Sequence, residues 1–374
     1  MKKKLAIICA GVEQVPLVNK AKEMGVETHC FAWDKEGFTQ CKGIADYFHP
    51  ISIFEKEQIL EKCKEIKIDG ITTICSDISM PTVAFVAQNM ELTGNRYDDT
   101  VIMVNKYKAR RAFFNYGVNQ PRFTVAYEGE EPDMTGLQYP LIVKPTDRGA
   151  SVGIKKVENE AELKDAIVSA QQLAYSKEAI IEEFLSGKEV CAECISWDYE
   201  PYILAITETE TLGGPHYSKI AYHQPAQLDA NEQTKVADAV RKALKALNFI
   251  CGPSDIEMVI TKEGDVKIVE LNPRMGGDST DKMVKLSTGY DFLEAAVNLA
   301  FGQFEKPVLT LNKHSGIYFL SKETEYLKPI IENSKNDPDI VFAEIEDSEL
   351  RYLQGADGRS GYFIYQSEQL RRWR

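Results

Sequence analysis

The chain has 374 residues, 44% hydrophobic and 27% charged, the balance of an ordinary globular protein long enough for two or three domains. A formal net charge of −13 argues against a broad nucleic-acid or anionic-membrane footprint, because either would need a basic surface. The apolar runs fall short of the roughly 20 residues of a membrane span, and the eight cysteines are scattered. Cys9, Cys30 and Cys75 sit in apolar runs, as reduced thiols of a cytoplasmic protein would.

The N-terminus Met1-Lys-Lys-Lys-Leu-Ala-Ile-Ile-Cys-Ala-Gly11 begins like a targeting peptide, but its apolar run is short and leads into Glu13 and Gln14. It reads as a first strand, Leu5–Ala10. Helix-like and strand-like segments then alternate: a helix near Gln14–Met24, strands Thr28–Trp33 and Tyr47–Ile51, a helix near Glu55–Ile66, a strand Gly70–Cys75 and a helix near Pro81–Met90. Such alternation predicts an α/β fold that opens with a doubly wound, Rossmann-like domain over residues 1–104. Gly11 is followed by Val, Glu and Gln, so the glycine pattern of a dinucleotide site is missing, and so is a Walker A loop. Gly11, Asp34, Ser76 and Asp77 fall at strand ends, where open α/β sheets hold ligands, but they also serve as ordinary turn residues.

Asn105 and Gly117 bracket a helix with an N-cap residue and a C′ glycine. Lys106 lies in its first turn, where the helix dipole disfavours a cation unless an anion is near. The strand Tyr139-Pro-Leu-Ile-Val-Lys144 runs into Thr146-Asp-Arg-Gly-Ala-Ser-Val-Gly153, a small, flexible turn rich in amide donors of the kind that drapes over phosphates. After a helix over Glu160–Leu173, an apolar strand from Ala179 breaks at Ser186-Gly187 and resumes as Glu189–Trp197, exposing backbone groups able to read a purine edge. Cys191-Ala-Glu-Cys194 has the spacing of half a zinc site, but without a second Cys or His pair it reads as a strand with incidental thiols.

Two β-branched runs flank Lys262-Glu-Gly-Asp265 and predict a hairpin. With the loop centred between Glu263 and Gly264, Glu257 falls opposite Glu270, and Asn272 returns to the same face two residues on. Like charges placed opposite each other need a cation or solvent. Two carboxylates and an amide oxygen suit Mg²⁺, while the same pair on an amphipathic hairpin could simply face water.

In their order along the chain these segments resemble the ATP-grasp superfamily of carboxylate–amine ligases. The match takes in the first domain, the Lys106 helix, Ile-Val-Lys144-Pro, Gly149-Ala-Ser-Val-Gly153, Glu182-Glu-Phe-Leu-Ser-Gly-Lys-Glu189, Glu257 and Glu270-Leu-Asn-Pro-Arg274. The resemblance implies a two-lobed α+β ATP-grasp domain, with a small lobe over 105–183 and a large lobe over 184–305, followed by a small β-rich C-terminal segment, 306–374. It implies that Lys106 and Lys144 hold phosphates, that the loop with Gly149, Ser151 and Gly153 closes over them, and that Glu182, Glu183 and Leu185 bind adenine with Glu189 on the ribose. Glu257, Glu270 and Asn272 would hold two Mg²⁺ ions, with Mn²⁺ as a substitute, and Arg274 would stabilise the transferring phosphoryl group.

The segments Gly213-Gly-Pro-His-Tyr217, His223-Gln-Pro-Ala226 and Asp357-Gly-Arg-Ser-Gly361 look like the L-amino-acid ligase, dipeptide-synthesising branch. There they imply substrate contacts from His216, His223, Gly276, Gly277 and Arg359, although the histidines could equally satisfy loop hydrogen bonds. The expected activity is Mg-ATP-dependent activation of a small carboxylate as an acyl phosphate and its joining to an amine, with ADP and phosphate released. Small-molecule substrates and a homodimer are expected, and neither nucleic acid nor membrane as a partner. Two other readings share the ATP half: a carboxylase-like or formate-using enzyme acting on a nucleotide intermediate, and a catalytically silent nucleotide-binding scaffold.

Overall fold

The computed structural model describes residues 2–214, 218–355 and 357–373. The first domain holds β1 (Lys4–Ile8), α1 (Val15–Glu23), β2 (Glu27–Phe31), β3 (Tyr47–His49), α2 (Lys56–Ile66), β4 (Gly70–Thr72) and α3 (Met80–Asn89). Its strands are parallel in the order β3-β2-β1-β4. The unbroken apolar run of β1 follows from burial on both faces. Leu5 and Ile7 pack into the core that contains α1, while Ala6 and Ile8 pack against α2 and α3. β4 ends at Thr72, earlier than the predicted strand, because the backbone turns away and the Cys75 amide donates to the carbonyl of Met275 at 3.2 Å.

After α4 (Tyr97–Met103) comes α5 (Lys106–Tyr116), capped as expected: the Asn105 side chain accepts from the Lys108 amide, and Gly117 takes the left-handed conformation at φ 69°. A small antiparallel sheet follows, built from β5 (Phe123–Ala126), β6 (Leu141–Pro145), β7 (Lys155–Val157) and, beyond α6 (Glu160–Leu173), β8 (Ala179–Glu183). Its order is β5-β8-β6-β7.

The remaining strands form one eight-stranded antiparallel sheet. They are β9 (Gly187–Trp197), β10 (Glu200–Thr211), β11 (Lys219–Gln224), β12 (Gly252–Thr261), β13 (Val266–Asn272), β14 (His314–Leu320), β15 (Ile340–Ile345) and β16 (Gly361–Ser367). In space they run β13-β12-β9-β10-β11-β14-β16-β15, so the tail continues the sheet through β14. The helices α7 (Ala230–Ala246), α8 (Thr280–Thr288), α9 (Phe292–Ala300) and α10 (Lys328–Glu332) complete the chain. Residues of α7 fill the core behind β9, β12 and β13, leaving the other face of those strands to line a cleft. Residues of α9 join the core beneath β1, which ties the large sheet to the first domain. Among the described residues no helix is long and apolar enough to cross a membrane.

Candidate functional site

A cleft of about 980 Å³ is lined by strands of the large sheet and by the segments that follow β4 and β6. Its floor is the β12–β13 hairpin. The turn is centred on Glu263, not between Glu263 and Gly264: the Thr261 amide donates to the Asp265 carbonyl at 2.8 Å, and Ile260 faces Val266. On that register alone Glu257 would face Val269. A β-bulge between Glu257 and Met258 adds one residue, Val269, to β13, so that Glu257 faces Glu270 and Asp255 faces Asn272. The expected pairing is present, and a bulge that the sequence reading did not contain produces it.

Each carboxylate of the pair has a lysine. Lys106 Nζ lies 2.8 Å from Glu270 Oε1, and Lys219 Nζ lies 2.8 Å from Glu257 Oε1. Burial alone would lower both lysine pKa values, but the carboxylates reverse this and leave both above the ordinary range. Lys219 in turn holds the Glu257 carboxyl below its usual value, against the penalty of burial. Lys106 also donates to the Arg148 carbonyl at 2.6 Å, so the first turn of α5 is stitched to the glycine-rich loop.

That loop, residues 147–154, forms the opposite wall. Asp147 anchors its start by accepting from the Tyr175 and Ser176 amides at 3.0 and 2.7 Å. Gly149 and Ser151 line the cleft, and Ala150 and Ser151 have left-handed backbones at φ 53° and 59°. Arg274 projects from the end of β13 and binds Asp77 Oδ2 at 2.8 Å. Asp77 is thus in the cleft, as its strand-end position suggested, whereas Asp34 is held on the surface by Lys42. Gly277 and Arg359 also line the cleft, with Arg359 ion-paired to Asp278 and stacked 3.5 Å over the Phe319 ring.

Other expected site residues lie off the cleft surface. Lys144 and Glu182 are buried beside it at 3% exposure each, joined at 2.8 Å, and Arg110, which lines the cleft, takes the other oxygen of Glu182 at 2.6 Å. Burial would raise the Glu182 carboxyl, but the two cations hold it at about 2. Arg110 also donates to the carbonyls of Ile268 and Val269, so this network clamps the bulge under the acidic pair. Glu183 takes Lys267 at 3.3 Å, Leu185 lies in the link between β8 and β9, and Glu189 lies on β9, where burial raises its carboxyl. Gly153, at φ 75°, packs against Pro145.

His223 is corrected as a cleft contact. Tyr222 takes the cleft face of β11 opposite Thr209, so alternation turns His223 to the other side. There it is 1% exposed between Tyr365 Oη at 3.0 Å and Glu210 Oε1 at 3.1 Å. Gly276 lies against the cleft floor: a Cβ there would stand 2.8 Å from Asp255 Oδ2. His216 falls outside the described residues.

The sequence reading did not include Lys219, Glu193, Asp255 or Asp278. Glu193 and Asp255 carry a visible signal, since each lies two residues from a cleft position on an alternating strand; Lys219 does not. A bulge at Ile220 breaks the alternation of β11 and brings Lys219 onto the same face as Tyr222. Four cleft residues keep buried polar atoms without a partner among the described residues: Asp77 Oδ1, Glu193 Oε2, Arg274 Nε and Arg359 Nε.

The donor set fits Mg²⁺. Glu257, Glu270 and Asn272 offer oxygens from one face, and Asn272 bonds Asp255 through its nitrogen rather than its oxygen. A glycine-rich loop thus faces lysines and paired carboxylates across the cleft of an α/β protein built on a parallel sheet, a small antiparallel sheet and a large one. Residues 137–282 match the model of the ATP-grasp domain family.

The carbamoyl phosphate synthase large chain of Thermoanaerobacter sp. (strain X514) is 25% identical over 292 residues, covering 77% of this chain and 26% of that one. The D-alanine–D-alanine ligase of Streptococcus equi subsp. zooepidemicus (strain H70) is 27% identical over 244 residues, 58% of this chain and 66% of that one. The crystal structure of L-amino acid ligase from Bacillus licheniformis superposes with a TM-score of 0.78 at 22% identity, covering 98% of this chain and 94% of that one. The last likeness speaks to fold alone. This chain spans about a quarter of the length of the synthase large chain.

Proposed function

We propose that the protein is an Mg-ATP-dependent ligase that activates a small-molecule carboxylate, of an amino acid or related metabolite, as an acyl phosphate and joins it to an amine, releasing ADP and phosphate. The observation that carries this reading is the cross-strand pair Glu257 and Glu270, set on the cleft floor between Lys106 and Arg274. A carboxylate is a poor electrophile, and its approach to a triphosphate brings two anions together. Fixed cations offset that repulsion, and preorganised ones cost no reorganisation at the moment of reaction.

In this reading Lys106 and Lys144 hold phosphates, and the loop with Gly149, Ser151 and Gly153 covers them. Glu182, Glu183 and Leu185 supply the adenine end and Glu189 the ribose contact. Glu257, Glu270 and Asn272 would hold Mg²⁺, which neutralises phosphate charge when bound. Arg274 steadies the transferring phosphoryl group, and Arg359 and Gly277 shape the substrate end. Closing the loop excludes water, which would otherwise hydrolyse the activated acid.

The test is phosphate release from Mg-ATP with pairs of amino acids, followed by mass analysis of the product. An amide product with stoichiometric ADP is expected. ADP release that depends on bicarbonate or formate, with no amino acid needed, would replace this reading with the carboxylase-like one. ATP binding with no turnover on any acid would leave a silent nucleotide-binding protein.

A further inference from the structure

Four of the cations that line the cleft are already committed to carboxylates in it: Lys106 to Glu270, Lys219 to Glu257, Arg274 to Asp77 and Arg359 to Asp278. Glu193 and Asp255 have no such cation, and Asp255 takes the Asn272 side-chain amide at 3.0 Å. They face each other across β9 and β12 on the cleft side, 2% and 8% exposed, and no described cation lies within 4.0 Å of either carboxylate. Two carboxylates sharing a buried site repel one another, and burying an uncompensated charge is costly. A proton held on the pair relieves that repulsion, and so does a cation from outside the chain, which the pair is placed to accept.

Two further observations give that cation a shape. Glu193 Oε2 is a buried acceptor without a partner, and Arg274 Nε is a buried donor without one. Gly276 keeps the space between the acids open: its missing Cβ would stand 2.8 Å from Asp255 Oδ2 and 3.5 Å from Glu193 Oε1. An unmet acceptor at a carboxylate pair and an unmet donor on a neighbouring guanidinium match the two ends of a zwitterion.

We propose that Glu193 and Asp255 seat the protonated α-amino group of the amino acid whose carboxylate is presented at Arg274. This rests on the ligase reading and deepens it by naming the substrate class as free α-amino acids. A divalent metal fits the pair less well. Its third donor would be Cys191, whose sulfur lies within 4.8 Å of both carboxylates, and a buried thiol is a poor partner for a hard cation. Holding the amino group as an ammonium also keeps it from acting as the nucleophile, which leaves attack to the second amine.

The test is ligand binding to the full chain loaded with Mg-ADP, read by thermal shift and calorimetry. The twenty proteinogenic L-amino acids are each compared with the same acid lacking the amino group, such as L-alanine with propionate and L-phenylalanine with 3-phenylpropionate. At least one amino acid is expected to bind at least 30-fold more tightly than its des-amino partner. E193Q should cut that preference at least tenfold with ADP affinity unchanged, and D255N should do the same. Circular dichroism establishes that each variant is folded, and E193D, which keeps the charge, should restore part of the preference.

Equal binding of amino acids and des-amino acids, or a preference that survives E193Q and D255N, overturns the inference. So does Zn²⁺ or Mn²⁺ binding that depends on Glu193 where no amino acid binds. Selective amino-acid binding without turnover would leave the inference standing and overturn the ligase reading. Turnover of acids that lack an amino group would do the reverse.

Discussion

Lys219 Nζ of β11 reaches Glu257 Oε1 of β12 at 2.8 Å, although two strands, β10 and β9, lie between them in the sheet. Adjacent strands are roughly 4.8 Å apart, so three steps across a flat sheet would exceed what the two side chains comfortably bridge. The large sheet is curled around the cleft, and this ion pair spans the curl. Lys219→Met removes the cation nearest Glu257 and should lower turnover at least tenfold, with a smaller effect on overall stability because both side chains are partly exposed. Steady-state phosphate release beside a thermal melt checks this, and unchanged kcat/KM would show that the pair serves only the fold.

Glu270→Gln keeps the size and hydrogen-bonding capacity of the side chain but removes the charge that faces Glu257 and Lys106. Turnover should fall at least 100-fold, while ADP binding measured without Mg²⁺ stays within a few-fold of the parent. Full activity in this variant would show that the acidic pair holds no metal.

Arg110 is 2% exposed and satisfies Glu182 and two carbonyls at the bulge. Arg110→Met leaves Glu182 buried with one cation instead of two. Breaking a buried pair costs about 3–5 kcal/mol, which denaturant titration would detect. The bulge should also loosen, so activity should fall further than the loss of folded protein explains.

His223 supplies a pH signature. Burial lowers its pKa from 6.5 to about 4, against a small opposing pull from Glu208. The nearby Glu210 does not reverse this, since Arg372 already pairs with both Glu208 and Glu210. Between those two pH values the unfolded chain binds a proton that the folded chain refuses, so stability falls as pH drops from 6.5 towards 4, by up to roughly 3 kcal/mol. His223→Asn should flatten that part of the stability curve. An identical slope in parent and variant would remove His223 as its source.

The legibility of the molecule varies with the range of the interactions that set each part. Local chemistry placed α5 between Asn105 and Gly117 and α6 at Glu160–Leu173 as expected. Caps, period and β-branched runs act over a few residues, and those signals survive in any context. The order of motifs along the chain likewise placed Lys106, Glu257, Glu270, Asn272 and Arg274 in one cleft. His223 was misplaced because two adjacent residues of a strand point to opposite faces, and the sequence does not say which face is the site.

The amino-acid sequence by itself determined the alternating α/β character, the hairpin and its set of acidic and amide side chains. Only the tertiary structure decided the register. Val269 and Ile220 are extra residues in their ladders, and each bulge turns a charged side chain, Glu270 or Lys219, towards the cleft. A bulge is a compromise between neighbouring strands, here clamped from outside by Arg110 on the carbonyls of Ile268 and Val269. The pairing of Glu193 with Asp255 also depends on β9 lying beside β12, a contact between segments roughly sixty residues apart that local propensity does not encode.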